Sequence, residues 1–338
     1  MTDLSVSEAG LAQPGVVRAV IGHHWIRHVF AGLVTLLVIS VITFFGTSLK
    51  SPEDLAKASL GRYITPAQTQ AFIETNHLDR PVVVRYFDWL GNVVVGDFGT
   101  SYITHRPVSQ DVLPRLKRTL LLTLLTLLVA VPLGVALGVH SARRWGTRDD
   151  IAVNAVAVIL SAFPEFVIGL LLLIVLAVDL KLLPVDSGQG LAFGGFAQQA
   201  KAYVLPALTL VIASVPFIMR NTRVAVREAL AAPYTRAAVL HGVPRRRVVW
   251  NHAVRNAASP ILTAVAINVI YLLAGVIVVE NVFDFPGLGQ DLVAAVGNGD
   301  TVTVQAVAML LGAIFVVVSF STDALASALN PGSRGGGR

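Results

Sequence analysis

The residues best placed for chemistry are polar side chains inside long apolar runs. Glu165 lies in the stretch 151–178, which holds no other Asp, Glu, Lys or Arg. Burying a charged side chain at membrane depth costs about 2.5 kcal/mol or more, which marks such a residue as a candidate for a solute or proton path. A packing role, hydrogen-bonded or protonated against a neighbouring helix, is the competing reading. Asn154 and Asn268 stand in similar runs and suit interhelical hydrogen bonds. With Glu165 they form the candidate translocation-pathway set. Asp300, in Gly297-Asn298-Gly299-Asp300, would need a facing carboxylate for two-acid hydrolysis, and its nearest candidate, Asp284, falls in a loop. His24 and His28 have helical spacing but no evident third metal ligand, so an interfacial helix anchored by Trp25 fits better. No metal site is expected. Neither a His-Glu-x-x-His nor a Gly-x-Ser-x-Gly pattern occurs, and no Lys follows a Gly, which excludes a phosphate-cradling loop. No catalytic residue is expected.

The elements that must position these residues are dictated by composition. Of 338 residues, 54% are apolar, 14% are charged and none is Cys. A globular domain carries about 25% charged residues, and the mean hydropathy here is +0.70. The chain reads as an all-α polytopic membrane protein, without disulfides or thiolate chemistry. A helix needs about 20 apolar residues to cross the hydrocarbon core. Six runs meet or approach that length: 29–49, 119–139, 151–178, 202–219, 256–279 and 301–322. They are continuous rather than alternating, which argues against a β-barrel. The third is long enough to tilt. Gly134 and Gly138 form a GxxxG in the second, suited to close helix approach within the chain or against a partner.

The formal net charge is +6, and the basic residues cluster beside apolar runs, as on a cytoplasmic membrane face rather than a nucleic-acid surface. Arg143, Arg144 and Arg148 follow the second run, and eight Arg lie between 220 and 255, whereas 280–300 has no Lys or Arg. The positive-inside rule then places both termini and the 220–255 loop in the cytoplasm. The long 50–117 loop faces outward, where length overrides its charge. The expected organisation is a cytoplasmic tail and juxtamembrane helix (1–26), a first span (27–49), an extracytoplasmic loop subdomain (50–117), a five-helix core (118–330) and a tail (331–338). Pro66 to Ile73 reads as a short helix capped by Thr65.

Within the arginine-rich loop, Pro233 can open a helix, Ala237 and Ala238 give it a small-residue face, and Gly242 can end it with positive φ. A second amphipathic helix is expected from about Arg245 to Asn256. Tyr234 to Pro244, followed by Arg255-Asn256, resembles the EAA loop of bacterial ABC-transporter permeases, in which an Ala-Ala pair stands four residues before a Gly. The likeness is closest to the dipeptide, oligopeptide and nickel import permeases, first-permease type. Asp79-Arg80-Pro81, Gly96-Asp97 with Gly99-Thr100-Ser101, and Phe283 with Pro286-Gly287 and Gly289 are similar to that family's outward-loop blocks. Arg236 stands where the general motif has Glu, and Ser48 to Asp54 replaces the usual Pro-Gly-Asp-Pro type sequence.

The resemblance implies a multi-pass permease subunit of the bacterial cytoplasmic membrane with a type I importer fold, translocating peptides. It implies a second homologous permease, two ATP-binding subunits that hold ATP and Mg, an extracytoplasmic substrate-binding protein, and contact with membrane lipid but no nucleic acid. The chain itself would be non-catalytic and would bind no cofactor. Segment 225–256 would be the coupling loop, with Tyr234, Arg236, Ala237, Ala238, Gly242, Pro244, Arg255 and Asn256 facing the ATPases. A nickel-chelate permease of the same family and a proton-driven carrier working through Glu165 are the alternatives.

Overall fold

The computed structural model describes residues 14–61 and 63–329, with side chains from Arg27 to Thr322 and at Ala324. The side chains of His24 and Trp25, and segments 1–13 and 330–338, lie outside the described residues. Among the described residues the chain is all-α, and the one extended pairing is a bridge between Thr100 and Pro107. Five helices are long and apolar enough to span a membrane: α1 (Pro14–Thr47, apolar from Arg27), α5 (Val108–Arg143), α9 (Phe196–Ala231), α12 (Ala258–Val282) and α14 (Thr301–Leu329). Between α1 and α5 lie α2 (Pro52–Leu60), α3 (Pro66–Thr75) and α4 (Val82–Val94). Helix α3 starts as expected: Thr65 accepts from the Gln68 amide while the Gln68 side chain accepts from the Thr65 amide.

The expected third span is not one tilted helix. It is α6 (Arg148–Ala162) and α7 (Glu165–Leu172, continued by a π-helical segment Leu173–Asp179), bent by 99° at the break. Pro164 is responsible: it holds Phe163 extended at φ −91°, ψ 130° and opens the next helix. Two other boundaries move. Helix α5 begins at Val108, so the expected division at 117/118 falls inside it. Helix α12 runs to Val282 and takes Glu280 into its last turn. Glu165 is therefore not the lone carboxylate of the apolar segments.

Helix α9 is the central pillar, packing on α5, α6, α7 and α12. Its apolar window is 56% buried, against 17% in α1. The GxxxG lies on this pillar. A Cβ on Gly134 would come within 2.8 Å of Ile218 Cβ, and one on Gly138 within 2.6 Å of Thr222 Cβ and 2.7 Å of the Met219 carbonyl. The motif therefore serves packing inside the chain, where absent side chains let two backbones approach. Helices α1 and α14 meet similarly, Gly32 against Val316 and Phe320, and Gly312 against Ile39.

On the side where α5 ends, a buried ion pair fixes the α5–α6 turn to α9. Arg223 donates to both Asp150 oxygens (2.7 and 2.9 Å), and the Gly146 amide and the Ser141 hydroxyl complete the carboxylate's partners. Breaking one side of such a pair strands the other charge. Replacing Gly138 by Val should lower stability by about 2 kcal/mol through overpacking on Thr222. Gly91→Ala, on an α4 position with no atom within 4 Å of the new Cβ, should be neutral. Thermal unfolding in detergent checks both.

Candidate functional site

The arginine-rich segment folds as a short helix projecting from the core. Helix α10 (Pro233–Leu240) begins one residue after α9 ends, with Ala232 extended at ψ 148° and Pro233 in the first turn. Segment 225–231 of the expected coupling loop is thus the end of α9. Helical periodicity splits α10 into two faces. Thr235 is buried and its hydroxyl donates to the Ala229 carbonyl at 2.7 Å, tying α10 back to α9. Ala238, one turn on, is half-buried, while Arg236, Ala237 and Leu240 face outward with Tyr234. The Ala-Ala pair is consequently divided between the faces rather than presented together. Leu240, 88% exposed, is the apolar tip that the sequence reading left out; an unpaired Leu just before a helix-ending Gly is the signal that marks it.

Gly242 ends the helix. The Gly242 amide donates to the Val239 carbonyl (3.0 Å) and the Val243 amide to that of Ala238 (3.1 Å), the paired bonds of a Schellman cap. Its φ is +79° and nothing lies within 4 Å of its missing Cβ. Conformation, not space, demands glycine here. Pro244 then opens α11 (Arg245–Arg247), which continues as a π-helical coil through Val254 and helical residues 255–256, a single segment over the range expected from the sequence. Arg255 and Asn256 are exposed at its end, just before α12.

The projection has an apolar root. Val249 and Ala253 of the coil pack with Val139 and Ala142 of α5, Ala225, Val226 and Ala229 of α9, and Ile261 of α12. A load on α10 therefore reaches three spans through one buried cluster.

At the opposite end the family-like outward blocks converge in two groups. Gly96 and Gly99 adopt positive φ (86° and 80°), and the Gly99 amide donates to Asp97. Thr100 pairs with Pro107, bringing the Ser101 hydroxyl 2.5 Å from Asp300. Asp300 also accepts from Thr303 at 2.7 Å, so this buried carboxylate caps α14 and holds the outer loop to it. Its role is structural. In the second group Phe283 is buried, and Glu280, also buried, accepts from the Thr119 hydroxyl (2.6 Å) and from the amides of Gly289 (2.6 Å) and Gln290 (3.2 Å). These amides open α13 (Leu288–Asn298). A Cβ on Gly287 would overlap the Glu280 carboxylate, and one on Gly289 would meet the Ile277 backbone. Pro286 presents its carbonyl to Arg118 at 3.4 Å. Of Asp79, Arg80 and Pro81, Pro81 stands at the N-cap of α4, and Arg80 pairs with Asp88 at the surface, where such bonds contribute little, and lines a pocket with Asp97, Gly99 and Thr100 of the first group.

Between the two groups a cavity of about 500 Å³ is lined by residues that include Arg106, Asp111, Arg115, Asp291 and Asp300. Burial pushes the Asp291 carboxyl up against the opposing pull of Arg115. The pathway candidates lie deeper. Glu165 opens α7 at the bend, with its carboxylate 3.4 Å from where a Gly275 Cβ would sit. Asn268 lies two turns before Gly275 on α12, buried, and its Oδ1 lacks the hydrogen-bond partner expected of it. Asn154 is half-buried on α6.

Glu280→Ala should cost about 3 kcal/mol, because it orphans two amides and a hydroxyl. Thr119→Ser should stay near the parent stability and Thr119→Val should not. Detergent thermal melts and amide exchange at Gly289 and Gln290 give the readout.

Two families match the chain. One described as "Binding-protein-dependent transport system inner membrane component" covers residues 118–335, and its N-terminal counterpart covers 22–123. A glutathione transport system permease protein, GsiC, of Salmonella choleraesuis (strain SC-B67) is 35% identical over 304 residues, spanning 89% of this chain and 95% of the relative. GsiC of Escherichia coli (strain K12) is 33% identical over 312 residues, 91% and 98% of the two chains. A probable peptide ABC transporter permease protein, y4tP, of Sinorhizobium fredii (strain NBRC 101917 / NGR234) is 31% identical over 310 residues, 92% and 98%. With both families matched and a bundle of five long apolar helices plus one bent pair, the chain belongs to the inner membrane components of binding-protein-dependent ABC transport systems.

Proposed function

We propose that this subunit imports peptides, with glutathione-like thiol peptides included in the class, and that α10 is the handle by which ATP-binding subunits drive it. The observation that carries the reading is the form of α10. It is an exposed helix with an apolar tip, locked at one end by Thr235 and at the other by the Gly242 cap, on a cluster shared by α5, α9 and α12. A projecting helix with an exposed apolar tip is suited to a protein groove. Tyr234, Arg236, Ala237 and Leu240 would face that groove, and Ala238, Pro244, Arg255 and Asn256 would shape or flank it.

The remaining parts follow the family. A second permease would complete the pore, two ATP-binding subunits would hold ATP and Mg, and a binding protein would dock on the outer loops around Gly96–Ser101 and α13. Hydrolysis would then occur on the partners and this chain would catalyse nothing. Both termini would lie in the cytoplasm, on the side of the arginines. The outer cavity, with guanidinium and carboxylate groups in one wall, suits a zwitterion carrying an ammonium and a carboxylate. Glu165, Asn268 and Asn154 remain the proposed pathway residues; the Glu165 carboxylate lies beside Gly275 of α12, and Asn268 is on the same helix two turns earlier. The relatives' names favour peptides over nickel chelates, and membership of a binding-protein-dependent family disfavours a stand-alone proton carrier.

The test uses the assembled transporter in vesicles. Gly242→Val strains the left-handed turn by about 1–2 kcal/mol and should uncouple hydrolysis from uptake. Leu240→Asp should weaken retention of the ATP-binding subunits by about tenfold or more. Full peptide uptake by both variants, or labelling of α10 from outside intact cells, would overturn the assignment.

A further inference from the structure

Beside the root of α10 is a cavity of about 490 Å³ whose lining includes His140, Arg143, Arg144, Arg227 and Arg245 and no carboxylate. The cations come from three separate stretches: the end of α5 and its following turn, the last turns of α9, and the first residue of α11. Among the described residues, Arg143, Arg227 and Arg245 form no salt bridge; Arg144 alone has a carboxylate partner, Asp149, and both of those side chains are half or more exposed. The contrast with Arg223, one turn before Arg227, is informative. There a buried Asp150 takes up both ends of the guanidinium. In the cavity the same fold gathers guanidiniums and answers them, among the described residues, only with the exposed Asp149 beside Arg144 and the Trp145 ring 5.3 Å from the Arg227 guanidinium.

Converging cations repel unless an anion lies between them. Guanidinium groups favour planar, two-pronged acceptors, above all phosphate oxygens. The remaining lining residues are mostly apolar, Leu230, Val239, Val248 and Val249, so the site offers a charged end and a greasy wall. It also sits where α5, a helix apolar enough to cross a membrane, gives way to arginines. The end of an apolar span is where basic pockets between spans collect phosphorylated headgroups.

We propose that this cavity is a binding site for a phosphate group, carried by an anionic phospholipid headgroup or by soluble phosphate. Its occupant would bridge α5, α9 and α11, and so brace the root from which α10 projects. The inference stands apart from the peptide reading, since it needs only the cavity and its charges.

The experiment uses the assembled transporter in neutral detergent, with four additions compared: phosphatidylglycerol, phosphatidylcholine, inorganic phosphate, and chloride at equal ionic strength. Bound lipid phosphorus after gel filtration and the shift in unfolding midpoint are the readouts. Arg143→Gln with Arg245→Gln removes two lining charges that hold no partner. Arg246→Gln with Arg247→Gln removes the same charge from neighbours outside the lining. The first pair should weaken the anion's effect on the order of tenfold, and the second by less than about twofold. Arg143→Lys with Arg245→Lys, which keeps charge and fold but loses the fork, should fall between them. Stabilisation by phosphatidylglycerol alone identifies a lipid headgroup; stabilisation by inorganic phosphate as well identifies a soluble ligand. Equal loss in both Gln pairs, or no preference for either phosphate source over its control, overturns the proposal. So does loss of ATP-binding subunits from the first Gln pair with anion binding intact, since that would assign the cavity to an acidic partner surface.

Discussion

A helix that starts inside a protein, away from water, leaves amides that must be met by side chains, and much of this structure answers that demand. Glu280 meets the amides that open α13, and Asp300 meets the amide and hydroxyl of Thr303 in the first turn of α14. Each carboxylate then recruits a hydroxyl from a distant segment, Thr119 from α5 and Ser101 from the outer loop. A local capping need is thereby converted into a long-range tether. Where a helix end reaches solvent, as at α10, backbone bonds around Gly242 suffice.

The same logic separates rigid from movable parts. The end opposite α10 is cross-tied by buried carboxylates, each with several partners, so rearranging it requires several bonds to break together. The α10 side is joined to the core differently. One hydroxyl bond from Thr235, an apolar cluster and the Arg223–Asp150 pair fix the root, and the tip residue Leu240 is exposed. Apolar contacts are non-directional and tolerate sliding better than hydrogen bonds do. Under the proposed role of α10, that difference suits the passage of motion from a partner to the spans. The 99° bend between α6 and α7 places Glu165 at the foot of one arm rather than midway along a straight rod.

Several features were legible from residue order. The Thr65–Gln68 cap, the Pro233 start, the Gly242 stop and the helical path to Asn256 all depend on contacts within a few residues, and each lies where the sequence put it. Other readings failed for one shared reason. The third run read as one tilted span, whereas Pro164 breaks it at an angle that depends on what each arm packs against. Glu280 looked like the start of a loop because a charge after an apolar run usually marks the membrane edge. Its true partners, Thr119 and the α13 amides, are too remote or too irregular in spacing for a pattern to reveal. The Ala237–Ala238 pair read as one small face, and helical phase divides it.

Composition and uninterrupted hydropathy by themselves determined an all-α membrane protein with about six crossings, because each span must satisfy its own backbone and needs a fixed length of apolar chain. The motif order also indicated its family. Only the tertiary structure decided which glycines face which helix, which carboxylates serve as internal caps, and that guanidiniums from three stretches surround one cavity. The physical reason is reach: lipid selects residue by residue along the chain, whereas side-chain partners are chosen across space, after the helices have packed.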